Sequence, residues 1–155
     1  MVRISSQMLI SAPKDRVSRY LRDLRHLPEY DKKVAEVAVC RQDAETVEVA
    51  ASGAFLGRKW KDTSVVRFTK DGGYECQFVL GRLTRMSVAY QLKPVVGGTV
   101  LFHEEGFDVA VVLKPVLLAA RAWLHQALEW ELRVIKEGAE RLDRQIKLKE
   151  IETLA

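Results

Sequence analysis

The sequence predicts an α+β domain in which a strongly curved, seven-stranded antiparallel sheet wraps around one long C-terminal helix, with two short helices between the first and second strands. Three observations carry this prediction. Apolar and polar residues alternate with period two at the N-terminus and again from Ala35 to about Ala110. The separators between the alternating runs are short and often Gly-rich, as antiparallel hairpins require. After Lys114-Pro115 the apolar spacing becomes helical and stays so for some thirty residues.

Taken in chain order, the first strand covers residues 2–11, where Ile4, Ser6, Met8 and Ile10 share a face opposite Arg3, Ser5 and Gln7. Ser11-Ala12-Pro13 then opens a helix, since Pro lacks only an N–H that would be unpaired there anyway. Val17, Tyr20, Leu21 and Leu24 mark its buried face, and His26-Leu27-Pro28 ends it before a second short helical turn around Glu29–Lys33. Six strands follow, carried by Val37/Val39, Val47/Val49, Val66/Phe68, Phe78/Leu80, Met86/Val88/Tyr90/Leu92 and Leu101/Phe107/Val109. The last helix bears the stripe Leu117, Ala120, Leu124, Leu128, Ile135, Ala139, Leu142 and Ile146. At about 1.5 Å per residue it is roughly 45 Å long, too long to stand alone with an apolar face. Gly138 within it costs ~1 kcal/mol relative to Ala, which predicts a close approach to the sheet. Residues 1–143 are read as one domain and 144–155 as a charged helical extension or tail.

The chain has 155 residues, 48% hydrophobic and 30% charged, which is globular composition and excludes wholesale disorder. Lys and Arg exceed Asp and Glu by 25 to 21, a net +4 that is too modest for a dedicated DNA binder. Weak contact with an anionic membrane or RNA is left open by Arg16, Arg19, Arg22 and Arg25 on one helix and by the Arg58-Lys59-Lys61 cluster. An ordinary solvated face is the competing explanation of these charges. No apolar run can span a bilayer, and the opening MVRISSQMLISAPKDR lacks a signal-peptide core, so a cytoplasmic location is expected. Cys40 and Cys76 fall on non-adjacent strands and are each expected to be small core residues. Nucleophile-elbow, Walker, dinucleotide-binding and H-E-x-x-H patterns are all absent; neither a metal nor a cofactor is expected.

Several segments carry a specific resemblance: Ile10-Ser11-Ala12-Pro13 with Val17, Asp23 with Leu27-Pro28-Glu29-Tyr30, Gly98-Thr99, His103-Glu104-Glu105-Gly106-Phe107, and Glu131-Leu132 with Ile135 and Glu140-Arg141-Leu142. On these residues the chain resembles the START-like, SRPBCC superfamily over about residues 2–142, with Tyr30 where Trp is commoner. The resemblance implies a helix-grip fold, a cavity between sheet and helix, and hydrophobic ligands. The superfamily spans polyketide cyclases, lipid-transfer domains and pollen-allergen relatives without a shared catalytic set, so it names neither ligand nor reaction.

In the last strand Leu101, His103, Glu105, Phe107 and Val109 form the more apolar face and are taken as inward, beside Tyr90 of the preceding strand; the opposite phase would point Val100, Phe102 and Glu104 inward. Inward His103 and Glu105 are the candidate catalytic or ligand-orienting pair, against a buried pair that merely satisfies itself. Trp60, Asp62 and Ser64 share a face with Val66 and Phe68, where a polar patch inside a cavity competes with a strand twisted toward solvent. Phe78 and Met86 complete the sheet's share of the predicted lining. Ala120, Trp123, Leu124 and Ala127 are the helix's share, with plain core packing of the aromatics as the alternative.

Three functions follow from these residues: binding or transport of a hydrophobic small molecule such as a lipid, isoprenoid or polyketide; a cofactor-independent cyclase or dehydratase in which His103 and Glu105 shuttle protons while Tyr90 or Asp62 holds a ligand oxygen; and a macromolecular interaction module of the ribosome-binding toxin type acting through its arginines.

Overall fold

In the computed structural model, which describes residues 1–155, one seven-stranded antiparallel sheet curls around a long helix. Strands β1 (Val2–Ile10), β2 (Val34–Gln42), β3 (Thr46–Phe55), β4 (Arg58–Phe68), β5 (Tyr74–Val79), β6 (Thr84–Val95) and β7 (Gly98–Val109) are ordered β1-β7-β6-β5-β4-β3-β2. Six of them form the expected meander, and β1 closes onto β7 with Met8 opposite Leu101 and Ile4 opposite Glu105. Helices α1 (Lys14–Arg22) and α2 (Leu27–Tyr30) connect β1 to β2, and α3 (Lys114–Ala119) and α4 (Arg121–Leu154) follow the sheet. Helix α4 packs against β1, α1 and β7, and the core lies between it and the concave face of the sheet.

Several local expectations shift. Pro28 starts α2 instead of breaking a helix before it, so the second helical turn is Leu27–Tyr30, earlier than the expected Glu29–Lys33. The C-terminal helical stretch is divided at Ala120 into α3 and α4, and α4 continues as helix to Leu154 through the charged residues. Cys76 is buried as expected, but Cys40 is exposed, because β2 is an edge strand with most of its residues in solvent. Gly138 does meet a close neighbour, yet that neighbour is the ring of Tyr20 on α1 and not the sheet. A Cβ at this position would overlap the ring, so the glycine sets the approach of α1 to α4.

Strands β4 and β5 pair only at Arg67–Glu75 and Phe68–Tyr74. Beyond that point side chains bridge them: Asp62 accepts a hydrogen bond from Val79 N at 2.8 Å, and Ser64 Oγ donates to the Gln77 carbonyl. Asp62 is therefore a backbone anchor in the widened part of the sheet, and the structure does not bring it to the cluster described next.

Candidate functional site

Five charged side chains, all at least 95% buried, meet beneath the start of α4: Asp31, Lys33, His103, Glu105 and Glu131. Strand β7 supplies two of them. Its inward face is Leu101, His103, Glu105, Phe107 and Val109, all buried, so the period-two alternation sets the direction of the imidazole and the carboxylate. Helix α4 contributes Glu131 from its core-facing side, between Leu128 and Ile135.

Lys33 comes from the segment joining α2 to β2, and its backbone is held at three points. Its N–H donates to Asp31 Oδ1 at 2.9 Å, its carbonyl accepts from Trp60 Nε1 at 3.0 Å, and that same carbonyl lies where a side chain on residue 53 would be, which Gly53 leaves empty. The chain is thus fixed so that the ammonium turns inward. Lys33 Nζ lies 3.0 Å from Asp31 Oδ1, 2.9 Å from Glu105 Oε1 and 2.9 Å from Glu131 Oε1.

His103 completes the group. Its Nδ1 faces the Ala89 carbonyl at 3.0 Å and its Nε2 faces Glu131 Oε2 at 3.2 Å and Glu105 Oε1 at 3.5 Å. Both nitrogens look at acceptors, an arrangement that suits an imidazolium with two N–H donors. The ring stacks on Tyr90 at 3.8 Å between centroids, and the Tyr90 hydroxyl donates to Glu131 Oε2 at 3.4 Å. Behind them Tyr74 and Tyr30 share a hydrogen bond of 2.9 Å between hydroxyls.

The electrostatics follow from these contacts. Burial alone would depress the His103 pKa, but hydrogen bonds and charge from Glu105 and Glu131 outweigh it and raise it to about 9. Burial would likewise raise Glu105, yet Lys33 and His103 hold it at about 2. Asp31 behaves oppositely: burial pushes it up, Lys33 opposes only in part, and Glu131 and Glu105 add repulsion, so it is raised to about 7. Lys33, despite its burial, is held well above the usual lysine range by its three carboxylates.

Above the cluster opens a pocket of about 470 Å³ between the β3–β4 hairpin and α4. Its walls include Ala54, Leu56 and Gly57 from the hairpin and Ala120, Trp123, Leu124 and Ala127 from α4, and Lys33 and Glu131 line it as well. The hairpin turns tightly through positive φ at Leu56 (49°) and Gly57 (74°), which leaves the Leu56 side chain exposed at the opening. Trp123 is 53% exposed on the opposite wall.

The sequence from residue 1 to 146 matches the family described as polyketide cyclase / dehydrase and lipid transport. The chain belongs to this family. Its fold is shared with solved structures of low identity. A Thermus thermophilus protein matches with a TM-score of 0.74 at 17% identity, covering 89% of this chain and 97% of that one. The Zhui aromatase/cyclase from a Streptomyces species matches at 0.71 with 14% identity, covering 90% and 94%. A STAR-related lipid transfer protein fragment from Xanthomonas axonopodis matches at 0.65 with 11% identity, covering 88% and 85%. No curated protein matches the sequence. No helix is long and apolar enough to cross a membrane.

Of the residues singled out from sequence, the structure brings His103, Glu105 and Tyr90 into one cluster, and places Ala120, Trp123, Leu124 and Ala127 around the pocket. Trp60 is buried against Phe78, 5.8 Å between ring centroids, and serves to fix Lys33; Phe78 and Met86 pair across β5 and β6, and Phe107 stacks on Phe55 at 5.3 Å, while Leu101 is fully buried. Sequence reasoning missed Asp31, Lys33 and Glu131. The signal for Glu131 was present: it stands seven residues after Leu124 and four before Ile135, on the apolar stripe itself. The basic helix face is partly consumed internally. Arg16 pairs with Asp15, Asp143 and Glu150, Arg22 donates to the Thr69 carbonyl and covers Phe68, and Arg25 pairs with Asp23 at the surface.

Proposed function

We propose that this chain binds a hydrophobic small molecule carrying a polar end, of the lipid, isoprenoid or polyketide kind, in the pocket between the β3–β4 hairpin and α4. The observation that carries the reading is an apolar mouth over a charged floor: Leu56, Ala120, Trp123, Leu124 and Ala127 stand above Lys33 and Glu131. A pocket of about 470 Å³ falls in the size range of small-molecule sites, and a few convergent polar groups in an apolar wall are what such sites use to orient a ligand. Membership in a family that includes lipid transport supports the same reading. The experiment is native mass spectrometry of protein purified from its own host, followed by denaturing extraction, together with quenching of Trp123 fluorescence by a panel of fatty acids, isoprenoids and aromatic polyketides. A bound small molecule, or saturable quenching that Trp123→Phe abolishes, is the expected result. An empty pocket and no quenching across the panel overturn it.

A second reading, cofactor-independent cyclase or dehydratase chemistry, is favoured by one observation: both His103 nitrogens face acceptors, so the ring is charged and stands ready to give a proton. In that reading His103 is the acid. Glu105, held at about 2, is too weak a base to share the work. General acid–base catalysis is worth about 10²- to 10⁴-fold, so His103→Gln is expected to lower turnover of a poly-β-ketone substrate by that order, and unchanged turnover removes the role.

A further inference from the structure

His103, Glu105 and Glu131 of the buried cluster each offer one ligating atom, and these three atoms lie within 4.8 Å of one another. His103 Nε2 is 3.2 Å from Glu131 Oε2 and 3.5 Å from Glu105 Oε1. Two donors at about 2.1 Å from one ion, subtending an angle between octahedral and tetrahedral values, stand roughly 3.0–3.4 Å apart, so these spacings fit with little movement.

The imidazole is also oriented as metal-ligating histidines are. Nδ1–H to a backbone carbonyl, here Ala89, fixes the tautomer and leaves Nε2 as the donor aimed at the carboxylates. Glu131 divides its two oxygens in the same manner: Oε1 is held by Lys33 and Oε2 points to His103.

One feature of the cluster calls for a cation. Glu105 Oε1 is buried and receives no well-aligned hydrogen bond, Lys33 and His103 approaching it only as ion pairs.

We propose that His103, Glu105 and Glu131 form a binding site for a divalent first-row transition ion, with Lys33 and Asp31 as the charged surround and water in the remaining coordination positions. One imidazole and two carboxylates are the ligand set of zinc, iron and manganese, and an alkaline-earth ion, which prefers oxygen throughout, fits them poorly. The entry path is the pocket, which Glu131 and Lys33 line. This inference stands apart from hydrophobic-ligand binding, because the ion needs only the floor.

The test is titration of chelator-stripped protein with Zn²⁺ and with Co²⁺. The expected result is one ion per chain, visible d–d bands with Co²⁺, and a shift of the ¹⁵N resonance of His103 Nε2 on adding Zn²⁺. His103→Gln and Glu105→Gln are expected to weaken binding at least ~100-fold, and His125→Gln, a change at an exposed histidine paired only with Glu129, to leave it unchanged. Because the ¹⁵N measurement needs no variant, the proposal stays testable if His103→Gln fails to fold. An unmoved Nε2 resonance in excess Zn²⁺ overturns it, as does binding of equal strength in folded Glu105→Gln protein. Zinc binding without any lipid or polyketide ligand, or the reverse, separates this inference from the proposed function.

Discussion

Lys33→Met is the substitution that most directly probes the buried cluster. In the native protein its ammonium stands 2.9–3.0 Å from three carboxylates, and at an effective dielectric of 20 each contact is worth about 6 kcal/mol before desolvation is subtracted. The net cost of removing it is much smaller, because the cluster can respond by taking up a proton. Asp31, raised to about 7, is already about half protonated at pH 7, so the extra proton falls on a glutamate, and holding that carboxyl neutral from an ordinary value of 4.5 costs about 3–4 kcal/mol at 1.36 kcal/mol per unit. That range agrees with the usual ~3–5 kcal/mol for breaking a buried ion pair, and it predicts a melting point lower by roughly 10 °C. It also predicts a pH dependence that simple loss of packing would not show. At pH 4.5 the same proton is nearly free, so the deficit falls below about 1 kcal/mol. Urea unfolding of metal-free wild type and variant, followed by tryptophan fluorescence at both pH values, measures the two differences. A deficit under about 1 kcal/mol at pH 7, or one that persists undiminished at pH 4.5, would refute the reasoning.

Other consequences can be checked with the same protein. In the metal-free wild type, His103 is raised from 6.5 to about 9, so its stabilisation is complete below pH 6.5 and is lost between 6.5 and 9; the expected fall is on the order of 3 kcal/mol, and a flat urea-midpoint profile over that window contradicts it. Asp31, raised from 3.8 to about 7, acts in the same direction at lower pH, whereas Glu105, lowered from 4.5 to about 2, contributes stability that disappears only as pH falls below 4.5. Gly138→Ala is expected to destabilise by about 1–3 kcal/mol despite alanine's better helix propensity, because its Cβ meets the Tyr20 ring; thermal melting showing a gain in stability contradicts the packing account. Phe107→Ala removes the ring stacked on Phe55 in the fully buried core and is expected to cost about 3–5 kcal/mol by chemical denaturation.

Legibility of this chain from its sequence divides along one physical line. Wherever burial imposes a period on apolar residues, the reading succeeds: the alternation of Leu101, Phe107 and Val109 places His103 and Glu105 on the inner face, and the spacing of Leu124, Leu128 and Ile135 places α4 against the core. Where a long charged side chain turns inward, periodicity carries no message. Asp31-Lys32-Lys33 has the composition of a solvated turn, yet Asp31 and Lys33 are buried while Lys32 remains exposed and lies over Trp130. What selects Lys33 is non-local: a Trp60 indole N–H and the missing side chain of Gly53 hold its carbonyl, and both come from other strands. Asp62 failed the opposite way. Its alternation matched an inward face, but the divergence of β4 from β5 is a matter of pairing register, and the carboxylate is spent on the Val79 N–H.

The five buried charges are poorly explained as a stabilising device. Replacing a buried ion cluster by apolar residues of similar volume is often neutral or stabilising by about 1–4 kcal/mol, and at position 131 the neighbouring stripe residues, Leu124, Leu128 and Ile135, are already the apolar residues that such a replacement would introduce. Yet three elements distant in sequence, the α2–β2 segment, β7 and α4, each direct a charge to the same point, and Trp60, Gly53 and the Ala89 carbonyl are committed to aiming two of them. A cluster that burial opposes and backbone geometry enforces fits the proposed binding role better than a stabilising one. Its place directly beneath the apolar pocket puts that charge where the polar end of a bound molecule, or an ion, would meet it.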